Sequence, residues 1–209
     1  MTENTERYSI LVSIFAFVGQ STSVLVSGTF FSVLAWQRST FMVAFFLGAI
    51  ANAILSKVLK RVLDQSRPTT NGTDLSDNGM PSSHAMSLGF ISTVTASTFM
   101  GASSFPFVAL LLAAYTIVSL TYRVYAQYHT TAQVIAGLVG GCTNGWLFAQ
   151  QGRFVLVEWL HTHAVFLFPP DATSFAVPWL IVPILLGAAT VGSIERRIPK
   201  IVRSLRKES

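Results

Sequence analysis

Three short polar clusters stand at the ends of apolar segments, and they hold side chains that are able to do chemistry. Residues 60–68 read KRVLDQSRP, residues 81–84 read PSSH, and residues 123–133 read RVYAQYHTTAQ. Together they supply cations, serine hydroxyls and imidazoles, the groups that bind a phosphate and attack phosphorus. The sequence therefore indicates a site that binds and cleaves a phosphate.

The rest of the chain is strongly apolar. Its 209 residues are 51% hydrophobic and only 11% charged, with a mean hydropathy of +0.55, whereas soluble domains carry about 25% charged residues. A bilayer core requires about 20 apolar residues in a helix. The candidate spans are residues 10–36, 41–58, 85–100, 107–122, 131–148 and 177–194. We predict an all-α, multi-spanning membrane bundle of about six transmembrane helices, with residues 1–209 forming one domain.

Counting the spans predicts that all three clusters lie on one membrane face. The net charge of +5 comes mostly from a basic tail, residues 195–209. Residues 154–168 are apolar but short, so they form either another crossing or an interfacial or re-entrant helix. If they cross, the positive-inside rule places the clusters in the lumen or outside the cell; if they do not, the charge argument weakens. The acidic N-terminus predicts a retained anchor rather than a removable signal. The basic tail favours contact with anionic lipid over nucleic acid.

The first cluster offers Lys60 and Arg67. If the preceding helix continues to Pro68, the two cations share one helix face and lie about 10 Å apart along the axis. They would then bind one anion from the same side. The alternative is that they only extend to the membrane surface, as cations at the ends of spans commonly do.

The second cluster begins a span. Ser82 and Ser83 precede a long apolar helix, so they either cap it or present hydroxyl and backbone N–H groups to an anion. His84 falls in the first turn, where a proton donor would face a bound phosphate. Its alternative role is that of an ordinary hydrogen-bonded aromatic side chain.

The third cluster joins two spans through a short connection. Arg123 ends one span and His129 begins the next, so both side chains can converge on one point. Gln133 follows His129 by four residues and lies on the same helix face. Its carbonyl can accept the imidazole N–H, which leaves the other ring nitrogen free as a nucleophile.

These three clusters resemble the signature of the type 2 phosphatidic-acid phosphatase superfamily, which reads KxxxxxxRP, then PSGH, then SRxxxxxHxxxD. The order and internal spacings agree over about residues 41–148. Ser83 stands in place of the usual glycine, Tyr122 in place of serine and Gln133 in place of aspartate. PSSH together with RVYxxYHTxxQV is most similar to the dolichyl diphosphatase branch. Related plant-type lipid phosphate phosphatases share much of this pattern.

The resemblance implies a metal-independent hydrolase without a cofactor, which acts on a polyprenyl diphosphate at the lumenal face of the endoplasmic reticulum membrane. His129 would attack phosphorus and His84 would serve as acid and then base, while Gln133 orients His129. The phosphate-binding groups would be those of Lys60, Arg67, Ser82, Ser83 and Arg123. We expect His129→Ala to abolish turnover and Gln133→Asp to retain it.

Other functions fit parts of the pattern. A phosphatase for phosphatidate or a sphingoid phosphate would use the same motifs, in the endoplasmic reticulum, a plastid or another endomembrane. Vanadate-dependent haloperoxidases have a similar anion pocket, but they are typically soluble. A transporter would place ionisable residues at mid-membrane, whereas here they stand at helix ends. The length of the lipid tail and the oligomeric state do not follow from the sequence.

Overall fold

The computed structural model describes residues 2–68, 78–100 and 105–165, together with Ile181 and Leu185. Within these ranges the regular elements are helices. In chain order they are α1 (Thr2–Gln37), α2 (Thr40–Leu63), α3 (Ser83–Phe99), α4 (Phe105–Tyr125), α5 (Thr131–Leu147), a π-helical turn (Phe148–Gly152) and α6 (Arg153–His163). The predicted all-helical class is thus confirmed for the described part of the chain.

Two of these helices are long and apolar enough to cross a membrane, namely Thr40–Leu63 and Pro106–Tyr125. Helix α1 is a third candidate if its two bent halves, Val12–Thr22 and Val24–Gln37, count as one span. Helices α3 and α5 have 17 residues each, or about 25 Å. The predicted last span, residues 177–194, and the basic tail lie outside the described ranges apart from Ile181 and Leu185. The count of six spans therefore stays a prediction.

Helices α3 and α5 pack against each other at the centre of the bundle. Glycines recur every fourth residue on the α5 face that meets α3, and a Cβ atom on any of them would collide with the backbone of the second cluster or of α3; they are Gly137, Gly141 and Gly145. Small residues at this spacing allow two helix backbones to approach closely in a membrane. The pairing fixes the start of α3 relative to the start of α5, where the second and third clusters lie.

One face of α2 carries a buried polar row within an otherwise apolar helix. Asn52, Ser56 and Lys60 follow one another at intervals of four residues, and each is at most 3% exposed. Asn52 accepts a hydrogen bond from Asn144 of α5 at 2.9 Å and donates one to the Met86 carbonyl of α3 at 3.3 Å. The row therefore ties α2 to both helices of the central pair.

Helix α6 continues directly from α5. The sequence predicted that the fifth span ends near residue 148 and that residues 154–168 form a separate segment. Instead, the backbone stays helical through Phe148 and Gly152 into α6. Leu160 of α6 packs in the same apolar cluster as Met42 near the start of α2. This end of the bundle is the one opposite to the polar clusters.

Candidate active site

The three clusters meet at one end of the helix bundle. The Nη2 atom of Arg123 lies 2.6 Å from Nε2 of His84, which joins the third cluster to the second. The backbone N–H of Ser82 donates to the Gln133 carbonyl at 3.0 Å. The Gln133 side chain in turn reaches the Ser66 carbonyl of the first cluster at 2.9 Å. The predicted site residues therefore come from four helix ends that face one another.

In the first cluster, the helix ends earlier than expected. Helix α2 stops at Leu63 and Asp64 adopts a left-handed conformation with φ of 47°, so Arg67 lies in a non-helical stretch. The prediction that Lys60 and Arg67 share one helix face is therefore wrong. Lys60 remains on α2 and is 3% exposed, while Arg67 reaches the site through the backbone of residues 64–68.

The stretch after α2 is held by the chain that enters α3. The side-chain amide of Asn78 donates to the Lys60 carbonyl at 3.0 Å and to Oδ1 of Asp64 at 2.8 Å. The backbone N–H of Gly79 donates to the Gln65 carbonyl at 2.7 Å. These bonds replace the helical hydrogen bonds that α2 no longer supplies.

In the second cluster, Ser82 occupies the N-cap position of α3 but makes no side-chain cap hydrogen bond. Its Oγ is buried and finds no hydrogen-bond partner among the described residues. A buried hydroxyl without a partner costs about 1–3 kcal/mol, and a bound phosphoryl oxygen would remove that cost. Capping alone therefore does not explain Ser82. The neighbouring Ser83 differs, because its Oγ accepts a hydrogen bond from Ser56 at 2.9 Å.

His84 and Arg123 form a direct contact at the start of α3. An arginine only donates hydrogen bonds, so Nε2 of His84 is the acceptor in this arrangement. The guanidinium carbon of Arg123 also lies 5.3 Å from the centre of the Tyr128 ring. The Nε atom of Arg123 is buried and has no hydrogen-bond partner within the described part of the chain. Arg123 thus keeps a donor that an anion can use.

In the third cluster, His129 lies in the connection just before α5. Its Nδ1 is 3.2 Å from Oε1 of Gln133, which is the predicted contact, but His129 precedes α5, so the two residues do not share a helix face. The same Oε1 accepts the backbone N–H of Thr130 at 3.2 Å, and Thr130 Oγ1 accepts the backbone N–H of Gln133. This capping box fixes Gln133 at the first turn of α5. Since Oε1 only accepts, His129 carries its proton on Nδ1 and presents an unprotonated Nε2.

The surroundings of His129 favour its neutral form. Burial lowers the pKa of His129 from 6.5 to about 4, and the positive charge of Arg67 is the second cause. Lys60 and Arg123 lower it further, whereas the hydrogen bond with Gln133 raises it. A neutral imidazole has a free lone pair at neutral pH. The ring can therefore act as a nucleophile before any anion is bound.

One cavity lies beside the second cluster, and a larger one lies further along α3. The smaller, of about 270 Å³, is lined by Ser83, His84 and Asn52 together with apolar side chains of α1 and α3. The larger, of about 710 Å³, is almost wholly apolar and extends to Phe99 of α3 and Phe107 of α4. Both are lined by Val26, Phe30, Leu88 and Ile91. The pair forms an apolar space that opens beside His84.

Several residues that support the site were not predicted. They are Gln65, Asn78, Gly79, Ser56 and Asn52. A signal was present for two of them, because Asn52 and Ser56 precede Lys60 at helical spacing within an apolar segment. For Gln65, Asn78 and Gly79 the sequence held no signal, since their partners are distant along the chain. Among the described residues, no group of three or more His, Cys, Asp or Glu side chains is placed to hold a metal ion.

Three curated proteins resemble the chain. It is 37% identical over 130 residues to lipid phosphate phosphatase epsilon 1, chloroplastic, of Arabidopsis thaliana, which covers 60% of this chain and 46% of that protein. It is 34% identical over 138 residues to lipid phosphate phosphatase epsilon 2, chloroplastic, of the same plant, covering 64% and 48%. It is 28% identical over 128 residues to the dolichyldiphosphatase of Saccharomyces cerevisiae, covering 56% and 53%.

The matched region spans about half the length of each of these relatives. No solved structure matches the chain. The model of the PAP2 superfamily matches residues 40–156, which include all three clusters and the helices that carry them. With three cations gathered around an oriented histidine and this match over more than half of its length, the chain belongs to the PAP2 superfamily.

Proposed function

We propose that this protein is an integral-membrane lipid diphosphate phosphatase that hydrolyses dolichyl or another polyprenyl diphosphate to the monophosphate and inorganic phosphate. The observation that carries the proposal is the placement of His129, whose Nε2 is unprotonated, in the electrostatic reach of Lys60, Arg67 and Arg123. A nucleophile surrounded by cations favours an anionic phosphoryl group, and the similarity of PSSH and RVYxxYHTxxQV to the dolichyl diphosphatase branch favours a diphosphate.

The first chemical step forms a phosphohistidine. Nε2 of His129 attacks the terminal phosphorus, and the bond from phosphorus to the bridging oxygen breaks. The phosphate enters beside Arg123 and takes the arginine hydrogen bond that His84 otherwise accepts. The freed ring nitrogen of His84 takes a proton from solvent and delivers it to the leaving oxygen of the lipid monophosphate.

The second step releases inorganic phosphate. Water loses a proton to His84 and attacks phosphorus, and the bond from phosphorus to His129 breaks. His129 is then neutral again, and His84 holds the proton for the next leaving group. Ser82 Oγ, the backbone N–H of Ser83 and the three cations hold the phosphoryl oxygens in both steps. Cationic side chains in these positions supply the charge stabilisation that Mg²⁺ supplies in many phosphoryl transfers. The proposed reaction therefore requires no metal.

The cavities support a lipid substrate. The small cavity starts at His84, where the leaving group would stand, and the apolar cavity adjoins it along α3. A lipid tail can occupy such a space while its phosphate stays at the helix ends. In this reading the active site faces the lumen of the endoplasmic reticulum, and the reaction recycles the lipid carrier used in N-glycosylation.

A second candidate function is the hydrolysis of a lipid phosphomonoester such as phosphatidate or a sphingoid phosphate. It is favoured by the two plant relatives named lipid phosphate phosphatases, which are more similar to this chain than the yeast dolichyldiphosphatase is. The same residues would perform this reaction, with an alcohol as the leaving group. A chloroplast or another endomembrane would then be the expected location.

The experiment is phosphate release by the purified protein in detergent micelles containing a chelator. Dolichyl diphosphate, dolichyl monophosphate and phosphatidate are compared at equal mole fraction, with His129→Ala as the inactive control. We expect the diphosphate to be the preferred substrate and the chelator to have no effect. A strong preference for phosphatidate would replace the substrate assignment, and complete loss of activity in chelator would refute the metal-free mechanism.

A further inference from the structure

The side-chain amide of Gln133 makes four hydrogen bonds, and its two ends face different clusters. Oε1 accepts from His129 and Thr130 in the third cluster. Nε2 donates to the Ser66 carbonyl at 2.9 Å and to Oε1 of Gln65 at 3.2 Å in the first cluster. The side chain is 1% exposed. Each hydrogen-bonding position of the amide is therefore occupied by a protein group.

The orientation of this amide is set by its partners. The Ser66 carbonyl only accepts hydrogen bonds and the backbone N–H of Thr130 only donates. Exchanging the oxygen and nitrogen of the amide would place two acceptors together at one end and two donors at the other. The Nε2 end must therefore face the stretch of chain after α2.

Besides Gln133, the chain that enters α3 holds this stretch. Because α2 ends at Leu63, the residues that lead to Arg67 are not held by helical hydrogen bonds. The Asn78 amide donates to Oδ1 of Asp64 at 2.8 Å, and the Gly79 N–H donates to the Gln65 carbonyl. Gln133 supplies the bond at Ser66, which is the residue directly before Arg67. The Gln133 amide thus fixes the backbone carbonyl that leads directly into Arg67.

We propose that Gln133 is a positioning residue for Arg67 as well as for His129, so that one side chain holds the nucleophile and the phosphate-binding loop in fixed relation. The proposal rests on the proposed function, which assigns Arg67 to phosphate binding. The backbone carbonyl of Gln133 also accepts a hydrogen bond from the Ser82 N–H at 3.0 Å. Gln133 is therefore hydrogen-bonded to all three clusters.

A carboxylate at this position cannot perform both tasks. It could accept from His129, but its second oxygen would face the Ser66 carbonyl and Oε1 of Gln65, which are both acceptors. An aspartate would in addition be one methylene too short to reach both ends. The sequence-based expectation that Gln133→Asp retains turnover is therefore replaced by the expectation of weakened phosphate binding.

The first test removes a partner of the Nε2 end and leaves His129 untouched. Gln65 is exposed at the surface, so Gln65→Ala should fold normally. We expect the inhibition constant of inorganic phosphate and the KM for the lipid diphosphate to rise about two- to tenfold, as for the loss of one ordinary hydrogen bond. We expect kcat to change less than twofold. Gln127→Ala is the matched control, because Gln127 lies two residues before His129 and its exposed side chain donates to the nearby Val124 carbonyl.

The second test changes the donor itself. Gln133→Glu keeps the length of the side chain and an acceptor for His129, but it turns the Nε2 donor into an acceptor. We expect the inhibition constant of inorganic phosphate to rise more than tenfold, which exceeds the effect of Gln65→Ala. The binding of inorganic phosphate is also followed by thermal stabilisation of the purified protein, a readout that needs no turnover.

The outcomes separate this proposal from the proposed function. If Gln65→Ala keeps wild-type values for both constants, or loses kcat at unchanged KM, the positioning role of the Nε2 end is refuted while the phosphatase assignment stands. If Gln133→Glu binds phosphate as well as the wild type, the role is likewise refuted. If the wild type neither releases phosphate from any of the three lipids nor is stabilised by inorganic phosphate, the proposed function itself fails.

Discussion

Replacing Gly79 with alanine tests the position of the Gln133 amide without altering any ionisable or hydrogen-bonding side chain. A Cβ atom on Gly79 would lie 2.5 Å from Nε2 and 2.8 Å from both Cδ and Oε1 of Gln133. The amide would have to move by about 1 Å to restore an ordinary contact distance. Hydrogen bonds of 2.9–3.2 Å at Nε2 would then no longer form.

The size of the effect follows from the bonds that are lost. Two hydrogen bonds contribute about 1–3 kcal/mol together, and a factor of ten in rate corresponds to about 1.4 kcal/mol. If losing these hydrogen bonds destabilises the transition state by the full amount of about 1–3 kcal/mol, kcat/KM decreases about 5- to 150-fold. Stability should change less, because an alanine restricts the unfolded chain more than a glycine does and offsets part of the loss by about 0.4–1 kcal/mol.

The assay is phosphate release from the lipid diphosphate, with thermal unfolding measured on the same preparations. Gly140→Ala is the matched control, since a Cβ atom on this α5 glycine meets nothing within 4 Å. We expect wild-type activity from this control. A Gly79→Ala protein with kcat/KM within twofold of the wild type would show that the amide can move without consequence, and it would refute the reasoning.

Three further predictions address other parts of the molecule. His129→Ala should abolish phosphate release while the protein still binds inorganic phosphate; residual turnover within tenfold of the wild type would contradict the nucleophile assignment. Gln133→Glu should move the acid limb of kcat/KM to higher pH, because a carboxylate stabilises the protonated ring and raises the pKa of His129 from about 4. Comparison with the wild type on one substrate cancels the ionisation of that substrate, and an unmoved limb would count against the assignment. Asn52→Ala should lower the free energy of unfolding by about 1–3 kcal/mol, because the Asn144 amide and the Met86 carbonyl lose a partner inside the bundle; the double variant with Asn144→Ala should cost less than the sum of the single variants, whereas additive costs would show that the two amides do not interact.

The contact between His129 and Gln133 was predictable from the sequence because the two residues are only four positions apart. The structure shows this contact, although His129 lies just before α5. The convergence of the three clusters followed from the alternation of the spans. These inferences depend on local geometry and on the order of the helices, both of which the sequence contains.

The parts that were not predicted depend on single backbone conformations and distant partners. The left-handed conformation of Asp64 ends α2 one turn before Arg67, although the residue types there are compatible with a longer helix. The orientation of the Gln133 amide depends on Ser66, 67 residues earlier in the chain. The spacing of residues along a short segment does not predict contacts between residues so distant in the chain.

The dependence of Arg67 on Gln133 also has a consequence for biosynthesis. A ribosome adds about 5–20 residues per second, so Gln133 follows Ser66 by about 3–13 s. During that interval α2 and α3 can enter the membrane, but the loop after α2 lacks the side chain that holds it. Phosphate binding therefore begins only when α5 has been inserted and packed on α3. A nascent or truncated chain that ends before α5 should anchor in the membrane and yet be unable to bind a lipid headgroup.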